Sequence, residues 1–420
     1  MTNKEIVRLC EQFDYPFELG KLINQILDYI LDNSKIEIES VVLIGSISRG
    51  EFSYLRMPAG LILFSDLEFL IVTKERVSWS AVQHIRSGLE RIEAELKKTS
   101  RLFHIDVSFL PLHSLSKLRG WFLFVESGIT GRVIYGRNVL NLFPKHVTDI
   151  KQIRDATVER LWTVALFVPR SCLLGNPAPQ EELEAKYLVA RCVLDLLCWL
   201  LSYTGLFLPT IEQRVRALLN NYEALDLGRF LPDTFPELVE EAWTGKRELR
   251  FKRGFVPMCE DLLKAFDGTL RYAVHKSGGA PRALATDELA VSAACRLFKD
   301  CQVKHKGWEL SLALKQVGAT HPLRLFRWVV APKRGIQGAI AYSLLTALSL
   351  IMQNRENEAS DYLQRARKYL DRLAVVPSPP REGDAKEQWL DLRKRYVDHL
   401  IQFYPEYAQK RGYIYRALDQ

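Results

Sequence analysis

Apolar residues recur along the first hundred residues with two different periods. Between residues 20 and 31 their spacing of three and four is typical of an amphipathic helix, formed by Leu22, Ile23, Ile26, Leu27, Ile30 and Leu31. A continuous apolar run then predicts a buried strand at Ile38–Ile44. The helical period returns over residues 78–98.

Two further predicted strands carry acids among apolar residues. In the second strand Asp66 and Glu68 are two residues apart, so they share one face while Leu67, Phe69 and Ile71 share the other. A third strand-like run, at residues 101–110, contains Asp106. The predicted order is therefore helix, strand, Gly-Ser turn, strand, helix, strand.

From about residue 151 onward the pattern is almost entirely helical. The predicted helices are 151–174, 181–204, 209–222, 235–248, 257–275, 283–316, 321–331, 336–353, 356–373 and 384–409. We therefore expect an α+β domain with a mixed sheet at 1–145, followed by a predominantly all-α region. That region is divided into a helical domain at 146–276, and a second domain or a continuation of the first at 277–420.

Three acids and one turn of small residues are the candidate functional residues. Gly45 and Ser46 directly follow the first strand, and the N–H groups of such a turn can bind phosphate. The carboxylates of Asp66, Glu68 and Asp106 are oxygen ligands of the kind that Mg²⁺ prefers. Taken singly, these features are also typical of an ordinary turn, a solvated strand face and an edge acid. Their order and strand context favour a metal-and-nucleotide site.

The same residues resemble the motif of the polymerase-β-type nucleotidyltransferase superfamily. That motif consists of an apolar run, Gly-Ser, a spacer, acid-x-acid and a later acid on a strand. Residues 46–51, SISRGE, resemble the SxxRGE run of its small bacterial members, and Ser65-Asp66 resembles their Ser-Asp-x-acid sequence. The GRVIYG segment at 131–136 is similar to the one that closes this domain in small bacterial adenylyltransferases. The resemblance covers roughly residues 35–140.

The sequence departs from that motif in two ways. Glu68 stands where the small bacterial enzymes usually have Asp. The spacer between Ser46 and Asp66 has 19 residues, more than is usual in the superfamily. We attribute the excess to an insertion at 52–60 and expect residues 61–64 to begin the second strand.

The resemblance implies transfer of a nucleoside monophosphate from an NTP, with ATP favoured, to a hydroxyl-bearing acceptor, releasing pyrophosphate. Asp66 and Glu68 are expected to hold two Mg²⁺ ions. Asp106 is expected to complete the site of the ion that activates the acceptor hydroxyl, and to receive that hydroxyl's proton.

Gly45, Ser46, Ser65, Arg49 and Lys186 are the predicted nucleotide-binding residues. In superfamily members with a helical second domain, a basic residue such as Lys186 often faces the triphosphate. The alternative for this lysine is an ion pair with the acid four residues earlier, Glu182. Arg49 is expected either to neutralise phosphate or to hold the turn through Glu51.

The acceptor is left open by the sequence. A small molecule or a protein is favoured, while addition to RNA 3′ ends and oligonucleotide formation belong to the same chemistry. The alternative from a different functional class is a non-catalytic nucleotide-binding scaffold whose helical region recognises a protein.

The net charge and the cysteines bear on the expected partner and cellular compartment of the protein. The formal net charge of +8 arises beyond residue 150, because residues 1–150 contain 18 basic and 18 acidic side chains. That excess fits a polyanionic partner such as RNA, but the interleaved acids favour solvated helix faces. Seven scattered cysteines without a CxxC pair, and no signal segment, predict a cytoplasmic protein. The apolar helix around 187–201 contains Arg191 and Asp195, so no membrane span is predicted.

Overall fold

The computed structural model describes residues 3–34, 36–58, 60–118, 120–148, 151–278, 284–297, 333–373 and 383–403. This part of the chain divides into two compact units. The first contains Met1–Gln152 together with two short segments from later in the chain, Phe207–Gln213 and Lys246–Leu249. The second contains the remaining residues.

The first unit is built around a four-stranded mixed sheet. Its elements in chain order are α1 (Lys4–Phe13), α2 (Phe17–Asn33), β1 (Ile38–Ile44), β2 (Tyr54–Met57), β3 (Gly60–Leu63), β4 (Leu67–Thr73), α3 (Trp79–Leu96), β5 (Ile105–Pro111), α4 (Leu112–Leu115), α5 (Phe122–Thr130) and β6 (Arg132–Gly136). The strand order is β5-β4-β1-β6. The β4–β5 pair is parallel, and β1 is antiparallel to both β4 and β6.

Both faces of this sheet are covered, which explains why its strands are apolar on both sides. One face packs under α1, α2 and α3 through residues that include Leu43, Phe69 and Val107. The opposite face carries Val42, Ile44, Leu70 and Val72, which pack with Leu115 and Phe143 and with residues of α5. Because side chains alternate along a strand, Glu68 and Asp106 belong to this second face.

The predicted start of the second strand at residues 61–64 is wrong. Leu61–Leu63 belong to β3, which pairs with β2 in a separate two-stranded hairpin, and β4 begins only at Leu67. Phe64 and Ser65 lie in neither strand. Both of their N–H groups donate to the Ser53 carbonyl. The long spacer between Ser46 and Asp66 therefore contains a two-stranded hairpin, Tyr54–Met57 paired with Gly60–Leu63.

The second unit is helical, and among the described residues no strand follows Gly136. The helices from residue 151 onward are α6 (Lys151–Phe167), α7 (Arg170–Leu173), α8 (Pro179–Ser202), α9 (Ile211–Asn221), α10 (Phe235–Glu248), α11 (Phe255–Lys276), α12 (Thr286–Leu297), α13 (Lys333–Met352), α14 (Glu356–Leu373) and α15 (Ala385–Phe403). The α+β class followed by a mainly helical region is therefore observed. The predicted helix at 321–331, and parts of those at 283–316 and 384–409, lie outside the described residues.

The core of the helical unit includes α8, α11 and α13. Tyr187 and Trp199 of α8 are fully buried, and Trp389 of α15 donates from Nε1 to the Leu344 carbonyl at 2.8 Å. Within the described ranges, α13 is the one helix long and apolar enough to cross a membrane. Most of it is buried inside the protein, as in the core helix of a soluble domain.

Candidate functional site

The structure brings the backbones of the three predicted acids together at one end of the sheet. Asp66 directly precedes β4, Glu68 is its second residue, and Asp106 is the second residue of β5. In the parallel register Glu68 is the Cα partner of Asp106, so these two positions are neighbours at about 4.8 Å in the ladder direction. All three acids are half-buried, whereas the neighbouring residues Leu67, Phe69 and Ile105 are buried.

The Gly-Ser turn lies beside Glu68. Ile44, the last residue of β1, is the Cα partner of Glu68, and the next residue, Gly45, has a left-handed φ of +73°. A Cβ at Gly45 would overlap Oε2 of Glu68. Both the backbone conformation and the close carboxylate therefore require glycine at this position.

Hydrogen bonds within the turn fix its shape. Ser48 Oγ donates to the Gly45 carbonyl at 2.9 Å, and the Glu51 N–H donates to the Ser46 carbonyl at 2.9 Å. The Tyr15 hydroxyl donates to the Ile47 carbonyl and accepts from the Phe52 N–H. Burial, reinforced by nearby Glu51, raises the pKa of Tyr15, so its phenol remains a donor at neutral pH.

The carboxylate oxygens of the three acids are of the donor type that Mg²⁺ prefers. Over the described residues, no three His, Cys, Asp or Glu side chains form a group that could hold one metal ion. The Glu68 carboxylate lies against Gly45. The backbone register places Glu68 next to Asp106.

Arg49 is a buried cation between two carboxylates. Its Nε lies 2.6 Å from Glu51 Oε2 and its Nη1 lies 2.7 Å from Glu126 Oε2, with 8% of the Arg49 side chain exposed. Burial alone lowers the pKa of Arg49, but the charges of Glu126 and Glu51 outweigh it and the pKa is raised. The ion pair with Glu51 that was expected as one role of Arg49 is present, and a role in neutralising phosphate stays a prediction. Its charge also acts on nearby Glu68.

The two remaining predicted binding residues have structural partners. Ser65 is buried and its Oγ accepts from the Ser53 N–H at 3.0 Å. In the helical unit, Lys186 Nζ lies 2.7 Å from Glu182 Oε1, the ion pair expected as its alternative role. Roles for Ser65 and Lys186 in nucleotide binding stay predictions.

A buried acid supports the strand that carries Asp106. Glu93 of α3 accepts from the Ile105 N–H at 3.1 Å, pairs with His104 Nδ1 at 2.8 Å and forms an ion pair with Lys97. Burial opposes its negative charge, but His104 and Lys97 outweigh this effect, so the pKa of Glu93 is lowered. Glu93 thus remains an ionised acceptor that fixes the beginning of β5.

The sequence does not single out five residues that contact the candidate site, namely Glu126, Ile211, Lys246 and Ser53 around the turn and Glu93 at the beginning of β5. They contact the site through long-range hydrogen bonds, such as that from the Ile211 N–H to Glu51 Oε1 at 2.7 Å. The one sequence signal was Glu51 itself, within the SxxRGE run. A buried carboxylate beside a turn needs cations or N–H groups as partners.

No protein-family model matches this sequence, and a search of curated proteins finds no match.

Proposed function

We propose that the protein is a Mg²⁺-dependent nucleotidyltransferase that moves a nucleoside monophosphate from an NTP, with ATP favoured, to a hydroxyl-bearing acceptor. The observation that carries this proposal is the register of three strands. Glu68 is paired to Asp106 on one side and to Ile44 on the other. Two acid-bearing strands and a glycine turn able to approach phosphate are thereby placed side by side.

The reaction forms a bond between the acceptor oxygen and the α-phosphorus and breaks the bond to the departing pyrophosphate. Asp66, Glu68 and Asp106 are the residues that would hold Mg²⁺, which neutralises charge on the phosphates when bound. Asp106 receives the proton of the acceptor hydroxyl. The N–H groups of Gly45 and Ser46 would donate to the phosphates of the bound nucleotide. Buried Arg49 pairs with Glu51 in the same turn.

The proposal is tested with the full chain, Mg²⁺ and each of the four α-labelled NTPs in turn. We expect self-labelling, or labelling of an acceptor library read by mass spectrometry, together with pyrophosphate release. Asp66→Asn removes a charge and should reduce the signal to background. Asp32→Asn, at an exposed position on α2, is the matched control. Full activity in Asp66→Asn would defeat the site assignment.

A non-catalytic NTP-binding scaffold is the second candidate. The observation that favours it is the absence of a three-ligand metal group within the described part of the chain. In that case equilibrium binding of Mg²⁺-ATP would be measurable, whereas no acceptor, including small hydroxyl compounds, proteins and RNA, would become labelled. If the protein is instead catalytic, the mass of the small-molecule or protein acceptor would increase by one nucleoside monophosphate.

A further inference from the structure

Two segments distant in sequence belong to the compact unit that contains the Gly-Ser turn. They are Phe207–Gln213 and Lys246–Leu249. Phe207 packs edge-on against Phe122 of α5 with ring centroids 5.1 Å apart. Residues 1–152 alone are therefore not the whole unit.

Lys246 is the most buried cation in these two segments, with 5% of the residue exposed. Its Nζ donates to the Glu51 carbonyl at 2.6 Å, and its own carbonyl accepts from Ser53 Oγ at 2.6 Å. One lysine thus engages both residues that flank Phe52. Since a buried ammonium is costly unless it is hydrogen-bonded, its position is tightly tied to these partners.

Glu51 and Ser53 connect this lysine to both halves of the candidate site. The Glu51 N–H donates to the Ser46 carbonyl in the turn, while the Glu51 carboxylate pairs with Arg49. The Ser53 N–H donates to the hydroxyl of Ser65, the residue before Asp66. Movement of Lys246 would therefore disturb the turn and the start of β4 together.

We propose that Lys246 is a positioning residue that holds the turn at residues 45–53 in its phosphate-binding shape, so that NTP affinity depends on a residue nearly two hundred positions away. This role in nucleotide binding rests on the proposed function, because the nucleotide is the ligand of that site. The positioning itself is a property of the folded chain. Lys246 acts through Glu51 and Ser53 and need not touch the nucleotide.

The test uses full-length Lys246→Met, which keeps the apolar stem and removes the ammonium. Lys252→Met, at an exposed position six residues later, is the matched control. Hydrogen exchange of peptides covering residues 45–53 and the dissociation constant for Mg²⁺-ATP are both measured, well below the melting temperature of each variant. Lys246→Met should raise exchange at 45–53 and weaken ATP binding, each by about tenfold, the effect of losing one charge-assisted hydrogen bond. Lys252→Met should change neither.

A purely structural role for Lys246 would be revealed by faster exchange throughout β1, β4 and the turn, with unchanged ATP affinity in the molecules that remain folded. That result, or unchanged exchange at residues 45–53, would overturn the proposal. Should Lys246→Met fail to fold, Ser53→Ala removes the hydroxyl that donates to the Lys246 carbonyl and should give the same local pattern. If the wild-type chain binds no NTP, the proposed function fails, whereas local exchange still decides whether Lys246 holds the turn.

Discussion

Replacing Arg49 with methionine should strongly destabilise the sheet-containing unit. The side chain of Arg49 is 8% exposed and lies within 2.7 Å of a carboxylate oxygen of both Glu51 and Glu126. Without the guanidinium, two carboxylates remain buried without their shared cation. Breaking a buried ion pair by removing one partner costs about 3–5 kcal/mol, and we expect Arg49→Met to lie in that range.

Native-state hydrogen exchange measures this loss in the correct unit. The free energy of opening is read from amides of β1 and β4, which neighbour the turn, so the helical unit does not contribute to it. Arg56→Met, at an exposed position on the β2 strand, is the matched control and should change that free energy by less than about 0.5 kcal/mol.

The double variant Arg49→Met/Glu126→Gln tests whether loss of the ion pair causes the loss of stability in Arg49→Met. Removing one buried charge after its partner is already absent should cost less, so the double variant should be more stable than the sum of the two single effects predicts. A coupling of about 1–3 kcal/mol is expected for residues in one ion-pair network. Strict additivity, or a loss below about 1 kcal/mol in Arg49→Met, would refute the assignment of a buried ionic cluster.

Two further predictions concern the turn and the helical unit. Gly45→Ala should abolish ATP binding and destabilise the unit by about 1–3 kcal/mol, because φ is +73° and the new Cβ meets Glu68 Oε2; wild-type affinity in calorimetry would contradict this. His399 is buried, and burial together with Lys333 lowers its pKa to about 3. The unfolded chain therefore binds the proton more readily, and stability falls as pH drops below about 6.5, by about 2 kcal/mol at pH 5. Urea unfolding of wild type and His399→Phe should show a flatter pH dependence in the variant, and equal slopes would exclude His399 as the cause.

Elements with local patterns can be predicted from the amino-acid sequence alone. Alternation predicted strands around Glu68 and Asp106, and both residues lie in strands of the sheet, whereas Asp66 directly precedes β4. The helical period after residue 151 likewise predicted the helices found there. Such periods follow from backbone geometry over a few residues, so they can be read without knowledge of the fold.

The pairing of residues 61–63 and the surroundings of the turn depend on long-range packing. An apolar run such as GLILF is compatible with either a sheet strand or a hairpin, and its partner, Tyr54–Met57, is selected by packing. The bonds from Ile211 and Lys246 to Glu51 span 160 and 195 residues. No local period encodes such contacts, because a buried carboxylate or carbonyl needs a donor but does not specify where in the chain that donor comes from.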